Sequence, residues 1–182
     1  MQYNKTITLK NDKTAVLRNG TAADGTEIYR LFYETHAETD FLLSYPEENS
    51  HTEKQEADFL KKMEESANGI EILAIVDGHA VGTACIEAVG SKYKVRHRAT
   101  FGITVSKAYW NLGIGRALTN ACIECAKHAG FTQLELTAVA ENTRAINLYK
   151  SVGFLEFGRN PKGFCSKASG YQETVLMLLP LC

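Results

Sequence analysis

Two short segments of this 182-residue chain carry residue types and spacings that could do chemistry. The first is "NLGIGR", Asn111 to Arg116, with two glycines one residue apart. It opens an apolar, helix-like run in which Ile114, Leu118, Ala121, Cys122 and Cys125 fall on one face. A helix N-terminus exposes unpaired N–H groups and the positive end of the dipole. Glycines there let a large anion approach the backbone closely. The segment therefore suits phosphate or pyrophosphate oxygens. Arg116 adds a cation in the first turn, unfavourable for the helix itself but useful beside an anion. The dinucleotide fingerprint needs a third glycine where this chain has Leu118, and the P-loop needs Gly-Lys-Ser/Thr where it has Gly115-Arg116-Ala117. A tight strand-to-helix turn with no ligand would explain the same glycines.

The second segment is "AENTRAINLYKSVGF", Ala140 to Phe154. Asn142 stands at a helix start, and Tyr149 lies about two turns later on nearly the same face. Read alone, Asn142 is an N-cap and Tyr149 a core aromatic beside Ile146.

The elements that must position these segments follow from periodicity and stop signals. "TITL" and "TAVLRN" read as a strand pair. Residues 21–39 read as a helix with Thr21 as N-cap and Ile28, Leu31 and Phe32 as its apolar stripe. "TEKQEADFLKKMEESANG" reads as a second helix closed by Asn68-Gly69. Asp77-Gly78 between two apolar runs is a hairpin signal. "RATFGITVS", "TQLELTAVA", "FLEFGR" and "YQETVLMLL" read as further strands, with helices over 113–130 and 142–153. The order is ββ, αα, ββ, β, α, β, α, ββ: a mixed α/β (α+β) sheet with helices packed on it, one domain over 1–182.

Composition narrows the function. The net charge of −1 argues against bulk nucleic-acid binding. "MQYNKTITLK" lacks an apolar core of signal-peptide length, and "VLMLLPLC" is too short to span a bilayer. The expectation is a soluble, cytoplasmic protein that engages no membrane. The five cysteines read as reduced thiols. "CIEC", Cys122 to Cys125, finds no second ligand pair at zinc spacing, so no metal is expected.

Taken together, the two segments resemble the GNAT superfamily of acetyl-CoA-dependent N-acetyltransferases. The resemblance runs from about Phe101 to Phe157: a strand, a GxG turn, a helix, a strand, then NxxAxxLYxxxGF. The last pattern is met by Asn142, Ala145, Leu148, Tyr149, Gly153 and Phe154. The resemblance implies a GNAT-like sheet splayed open between "FGITV" and "LELTAV", with acetyl-CoA as co-substrate on one side and an amine acceptor on the other. It implies backbone contacts from Ile103, Thr104 and Val105 to the pantetheine arm. Backbone N–H groups of Leu112, Gly113, Ile114, Gly115 and Arg116 would hold the pyrophosphate, with Asn111 beside them in the cofactor site, and Asn142 would bond the pantetheine region. Tyr149 would face the sulfur and protonate the departing thiolate. The implied reaction is direct transfer of acetyl from acetyl-CoA to a primary amine of a small molecule, polyamine or peptide. The alternative is a non-catalytic acyl-CoA-binding or sensing module of the same fold. Homodimers are a family habit, so a homodimer is an open expectation here.

Two departures stand out. Trp110-Asn111 occupies positions where the family often has Arg or Gln and a small residue. The branch that acetylates a ribosomal-protein N-terminal alanine has a Glu base five residues before the Asn, where this chain has Thr137. Glu87, Glu135 and His97 are the candidate bases that remain. Residues 34–65 hold ten acidic residues against three lysines, either an attractor for a cationic acceptor or solvated helix faces. Lys92, Lys94, Arg96 and Arg98 alternate, which would put them on one face of an extended segment.

Overall fold

A computed structural model describes residues 1–181. In chain order the elements are β1 (Asn4–Thr8), β2 (Thr14–Asn19), α1 (Gly25–Glu38), α2 (Glu53–Glu65), β3 (Ile70–Val76), β4 (His79–Ala88), β5 (Arg98–Val105), α3 (Ile114–His128), β6 (Gln133–Val139), α4 (Thr143–Ser151), β7 (Leu155–Ser166) and β8 (Gly170–Pro180). They form an eight-stranded sheet in the order β1-β2-β3-β4-β5-β6-β8-β7. Its neighbours are antiparallel except β5 and β6, which run parallel. The mixed sheet and the element order match the expectation from periodicity. None of the described helices is long and apolar enough to cross a membrane.

Each face of the sheet is closed by helices whose apolar stripes match it. On one face, Ile28 and Leu31 of α1 and Leu60 of α2 pack on Leu73 and Ala80. On the other, Ile114, Leu118, Ala121, Cys122 and Cys125 of α3 pack on Ile70, Ile72, Ala84, Ile86 and Phe101. Cys122 and Cys125 are thus packing thiols, and burial pushes both up. Cys182 lies outside the described residues. The Asp77-Gly78 hairpin has φ of 50° and 86° at its two central residues, the positive pair a type I′ turn demands.

Four local expectations are corrected. Thr21 precedes a short 3-10 turn, Ala22–Asp24, and α1 starts only at Gly25. Helix α2 ends at Glu65, because the Ser66 hydroxyl takes up the N–H groups of Asn68 and Gly69 at 3.3 and 2.9 Å. Strand β7 continues past "FLEFGR" to Ser166, with register breaks between Glu156 and Gly158 and between Asn160 and Phe164 that accommodate Pro161. Lys92 to His97 form a turn rather than an extended face, because the N–H groups of Val95 and Arg96 both donate to Lys92 O. Arg96 then lies over the Tyr93 ring at 4.5 Å, and Arg98 starts β5.

Helices α1 and α2 meet at Gly25, where an added Cβ would lie 2.7 Å from Ala57 Cβ and 2.8 Å from its backbone nitrogen. Backbone cannot yield as a flexible side chain can. Gly25→Ala is therefore expected to destabilise the protein by about 1–3 kcal/mol in urea unfolding. A variant as stable as the parent would show that the α1–α2 contact is loose.

Candidate functional site

The site begins where the sheet stops being a sheet. Strands β5 and β6 pair only at Arg98↔Gln133, Ala99↔Leu134 and Thr100↔Glu135. At this closed end Arg98 Nη2 donates to Glu135 at 2.8 Å, and the pair holds the Glu135 carboxyl below its usual range. Past Thr100 the strands separate, although β5 continues to Val105 and β6 to Val139.

Strand alternation decides which backbone groups face the opening. Ser106 N–H donates to Val81 O across the β4 edge at 2.9 Å, so Thr104 and Gly102 also point their N–H and C=O toward β4. Those of Ile103 and Val105 point into the opening. The Val105 carbonyl accepts from Trp110 Nε1 at 2.6 Å. Of the three residues expected to offer backbone groups, Ile103 and Val105 are so oriented. Thr104 faces the cleft only through its side chain.

A cleft of about 390 Å³ occupies the opening. Its walls are the end of β5, the turn into α3 and the first face of α4. Asn111 and Gly113 sit in this turn with φ of 65° and 100°, left-handed conformations that tilt successive N–H groups toward one side. Gly115 is different. Its φ is not positive, and an added Cβ would meet only Leu148 Cδ2 at 3.4 Å, an ordinary contact. Internal packing therefore gives no reason for glycine at 115. The side chain of Ile114 is fully buried, and Leu112 packs on the core while its carbonyl accepts from Lys10 N–H. These two can contribute only backbone.

Asn142 caps α4, its Oδ1 accepting from Ala145 N–H at 3.3 Å, and it also lines the cleft. The cap and a ligand contact are compatible, because the Oδ1 cap leaves the Nδ2 donors uncommitted. Tyr149 lines the cleft and packs edge-on to Phe101 at 6.1 Å between centroids. Burial pushes its phenol up to about 12, so it is protonated at neutral pH and suited to donate.

Arg144 is a residue the motif reading passed over. It lies over the Trp110 ring at 3.5 Å and lines the cleft. With Lys10 and Arg116 it gives the cleft three cations, and no Asp or Glu lines it. Partial burial pulls the Arg144 pKa down, so an anion beside it would be stabilising. Arg116 also donates to Ser151 Oγ in the last turn of α4 at 2.9 Å, which ties α3 to α4 beside the cleft. Arg144 falls on an unspecified position of NxxA, so its only sequence signal was a basic residue next to a helix cap.

The three candidate bases lie elsewhere. Glu135 is bound to Arg98 and Gln133, Glu87 is exposed near the far end of β4, and His97 lies in the exposed turn before β5. The acidic segment is mostly committed to structure. Glu34 accepts from Ser106 Oγ, Glu38 from Lys107 N–H, Asp40 from Ser166 Oγ, and Glu47 pairs with Lys167.

A sheet splayed between two parallel strands, with a cationic glycine turn and a capped helix beside the gap, defines an open-cleft α/β fold. Comparison with known proteins agrees. The Acetyltransferase (GNAT) family profile matches residues 27–154, and the chain belongs to that family. It is 35% identical over 85 residues to the L-amino acid N-acetyltransferase AaaT of Escherichia coli K12, covering 46% of this chain and 52% of that protein. The chain thus spans about half the length of that curated relative. A GNAT-family acetyltransferase structure from Streptococcus pneumoniae superimposes with a TM-score of 0.87 at 29% identity, over 91% of this chain and 99% of that one. The Salmonella typhimurium protein yncA, solved with its cofactor acetyl-CoA, shares the fold at a TM-score of 0.80 and 18% identity, over 92% and 94% of the two chains.

Removing the α4 cap should cost stability wherever the ligand stands. Asn142→Ala is expected to lose about 1 kcal/mol in denaturant unfolding of the ligand-free protein. An unchanged midpoint would mean that the Asn142 side chain serves the cleft alone.

Proposed function

We propose that the protein is an N-acetyltransferase that binds acetyl-CoA in the splayed cleft and moves its acetyl group directly to a primary amine. The observation that carries this reading is the cleft's polarity: three cations, a left-handed glycine turn and the outward backbone of Ile103 and Val105, with no carboxylate among the lining residues. That combination fits a ligand with a pyrophosphate at one end and an amide-bearing arm at the other. The acetyl-CoA complex of yncA and the amine chemistry named for AaaT support it.

Bound acetyl-CoA would supply an activated acyl group and a thiolate leaving group. The protein supplies the rest. Backbone N–H groups of the 111–116 turn and the side chains of Arg116 and Arg144 hold the phosphates. The Ile103 and Val105 edge aligns the arm by strand-like hydrogen bonds. Asn142 fixes the arm at the α4 end. Tyr149, protonated at neutral pH, gives its proton to the departing sulfur. Most of the rate gain is positional, since both reactants are held in line across the gap in the sheet.

Two substitutions separate binding from chemistry. Gly115→Ala should leave the fold intact and add up to about 1 kcal/mol of helix stability, yet weaken acetyl-CoA binding in calorimetry. Tyr149→Phe should keep acetyl-CoA affinity and lower kcat about 10²-fold with an amine acceptor. Unchanged acetyl-CoA affinity in Gly115→Ala would remove the turn from the binding site. Unchanged kcat in Tyr149→Phe would remove the phenol from the proton path.

A further inference from the structure

The other side of β5 holds a second cavity of opposite character. It measures about 260 Å³ and lies between α1, α2 and strands β3 to β5. Ile28, Leu31, Phe32 and Phe59 form its apolar wall, and Ile103 and Thr104 are shared with the acetyl-CoA cleft. Two carboxylates line it, Glu56 and Glu71, and no Lys or Arg does.

Glu71 is the unusual one. Its residue is 8% exposed, and its partners are neutral: the Thr83 hydroxyl donates to Oε1, and the Cys85 thiol lies beside it. Among the described residues no cation pairs with it. Burying an unpaired carboxylate is costly, so a fold that keeps one facing a cavity calls for a reason. The sheet register shows where it leads. Glu71 pairs with Cys85, and Cys85 pairs with Gly102, so the three stand in one row across β3, β4 and β5. Gly102 has no side chain, and an added Cβ there would lie 3.3 Å from Cys85 Sγ. Along that row, only a thiol and a bare backbone stand between the carboxylate and β5, the strand at the edge of the splay. The neighbour of Gly102, Phe101, packs edge-on to Tyr149 on the opposite side.

We propose that this cavity receives the acceptor, that Glu71 binds its ammonium group and removes a proton from it, and that the acceptor is a small primary amine with an apolar body and no carboxylate. The assignment rests on the acetyltransferase reading and adds the base and the acceptor class to it. The proton balance is simple. The N–H bond of R–NH₃⁺ breaks, the proton goes to a Glu71 oxygen, and the neutral amine keeps the lone pair that attacks the acyl carbon. An amino acid fits poorly, because its carboxylate would enter a space with two carboxylates and no Lys or Arg to meet it.

The electrostatics agree. Burial is the main cause that pushes Glu71 up to about 7, with Glu87 of β4 and Glu56 of α2 adding repulsion and Thr83 and Cys85 opposing. Facing it from α1, His36 is held toward neutral by burial, while Glu56 is bonded to His51 at 3.1 Å. A carboxylate with this pKa takes a proton from an ammonium group far better than an exposed one. The same shift makes ionisation of Glu71 a stability cost. Its contribution favours the fold at low pH and is lost as pH rises toward and through about 7.

The test uses the full chain with 2-phenylethylamine and L-phenylalanine, which differ by one carboxylate. Wild type should acetylate 2-phenylethylamine with kcat/KM about tenfold or more above L-phenylalanine, and kcat/KM should rise with pH through a limb near 7. Glu71→Gln should lose about 10²-fold in kcat and the limb with it, yet bind acetyl-CoA as wild type does. Glu71→Asp should recover part of the rate. Calorimetry on the acetyl-CoA-free protein should show 2-phenylethylamine binding weakened in Glu71→Gln, and that variant should melt no lower than wild type at pH 8. A Glu71→Gln protein with unchanged amine affinity, rate and pH limb would overturn the assignment, as would a preference for L-phenylalanine. Failure of wild type to bind acetyl-CoA would instead strike the acetyltransferase reading beneath it.

Discussion

The structure depends on three residue pairs that hold two parallel strands together and then let them part. The Arg98–Glu135 ion pair spans these three pairs, 35% and 15% exposed. Beyond Thr100 the backbone of β5 loses its neighbour while remaining in the middle of the sheet. Buried backbone donors and acceptors without partners are costly, and a central strand normally has none. Trp110 answers part of this by bonding the Val105 carbonyl. What remains, on Ile103 and Val105, is a strand edge inside the protein, which the proposed function assigns to a strand-like ligand.

Everything around the gap can be read as consequences of that opening. The chain leaves β5 at its open end, so the turn that follows must lie at the mouth of the cleft, and α3 presents its N-terminus there. Strand β6 leads to α4 in the same way, which brings Asn142, Arg144 and Tyr149 to the facing wall. Trp110 links the two walls, bonded to β5 through its indole nitrogen and stacked under Arg144. Because β5 is a single strand thick, its two sides are a few ångströms apart and yet differ in charge. Cations line the side of the glycine turn, and carboxylates line the side of α1 and α2. The proposed transfer from an anionic donor to a cationic acceptor would use that separation, with contact only at the strand between them.

The motifs were legible because they are local. A glycine turn before an apolar stripe, and an Asn two turns before a Tyr, are properties of a few consecutive residues, and periodicity was enough to order the strands and helices. What was not legible depends on register and on distant partners. Thr104 sits between two residues that face the cleft, but only the bond from Ser106 to Val81 shows that its backbone faces β4. The alternating cations at 92–98 looked like one face of a strand, yet backbone bonds to Lys92 O wind them into a turn. The Asn68-Gly69 stop lost to Ser66, a residue whose hydroxyl can end a helix sooner. Nothing local in the sequence singles out Glu71 within its strand or Arg144 within its helix. Their places depend on Cys85 and Gly102 across two strands, and on Trp110 thirty-four residues away.

The central claim is that the edge of β5 beyond Thr100 is the docking strand for the donor. Residue-resolved amide hydrogen exchange, with and without saturating acetyl-CoA, tests it most directly. The account predicts that the N–H groups of Ile103 and Val105, and those of the 111–116 turn, slow on adding acetyl-CoA while Thr104, already paired with β4, does not change. NAD or ATP at the same concentration should protect neither Ile103 nor Val105. Protection confined to other surfaces, with Ile103 and Val105 exchanging as fast as in the free protein, would contradict the account.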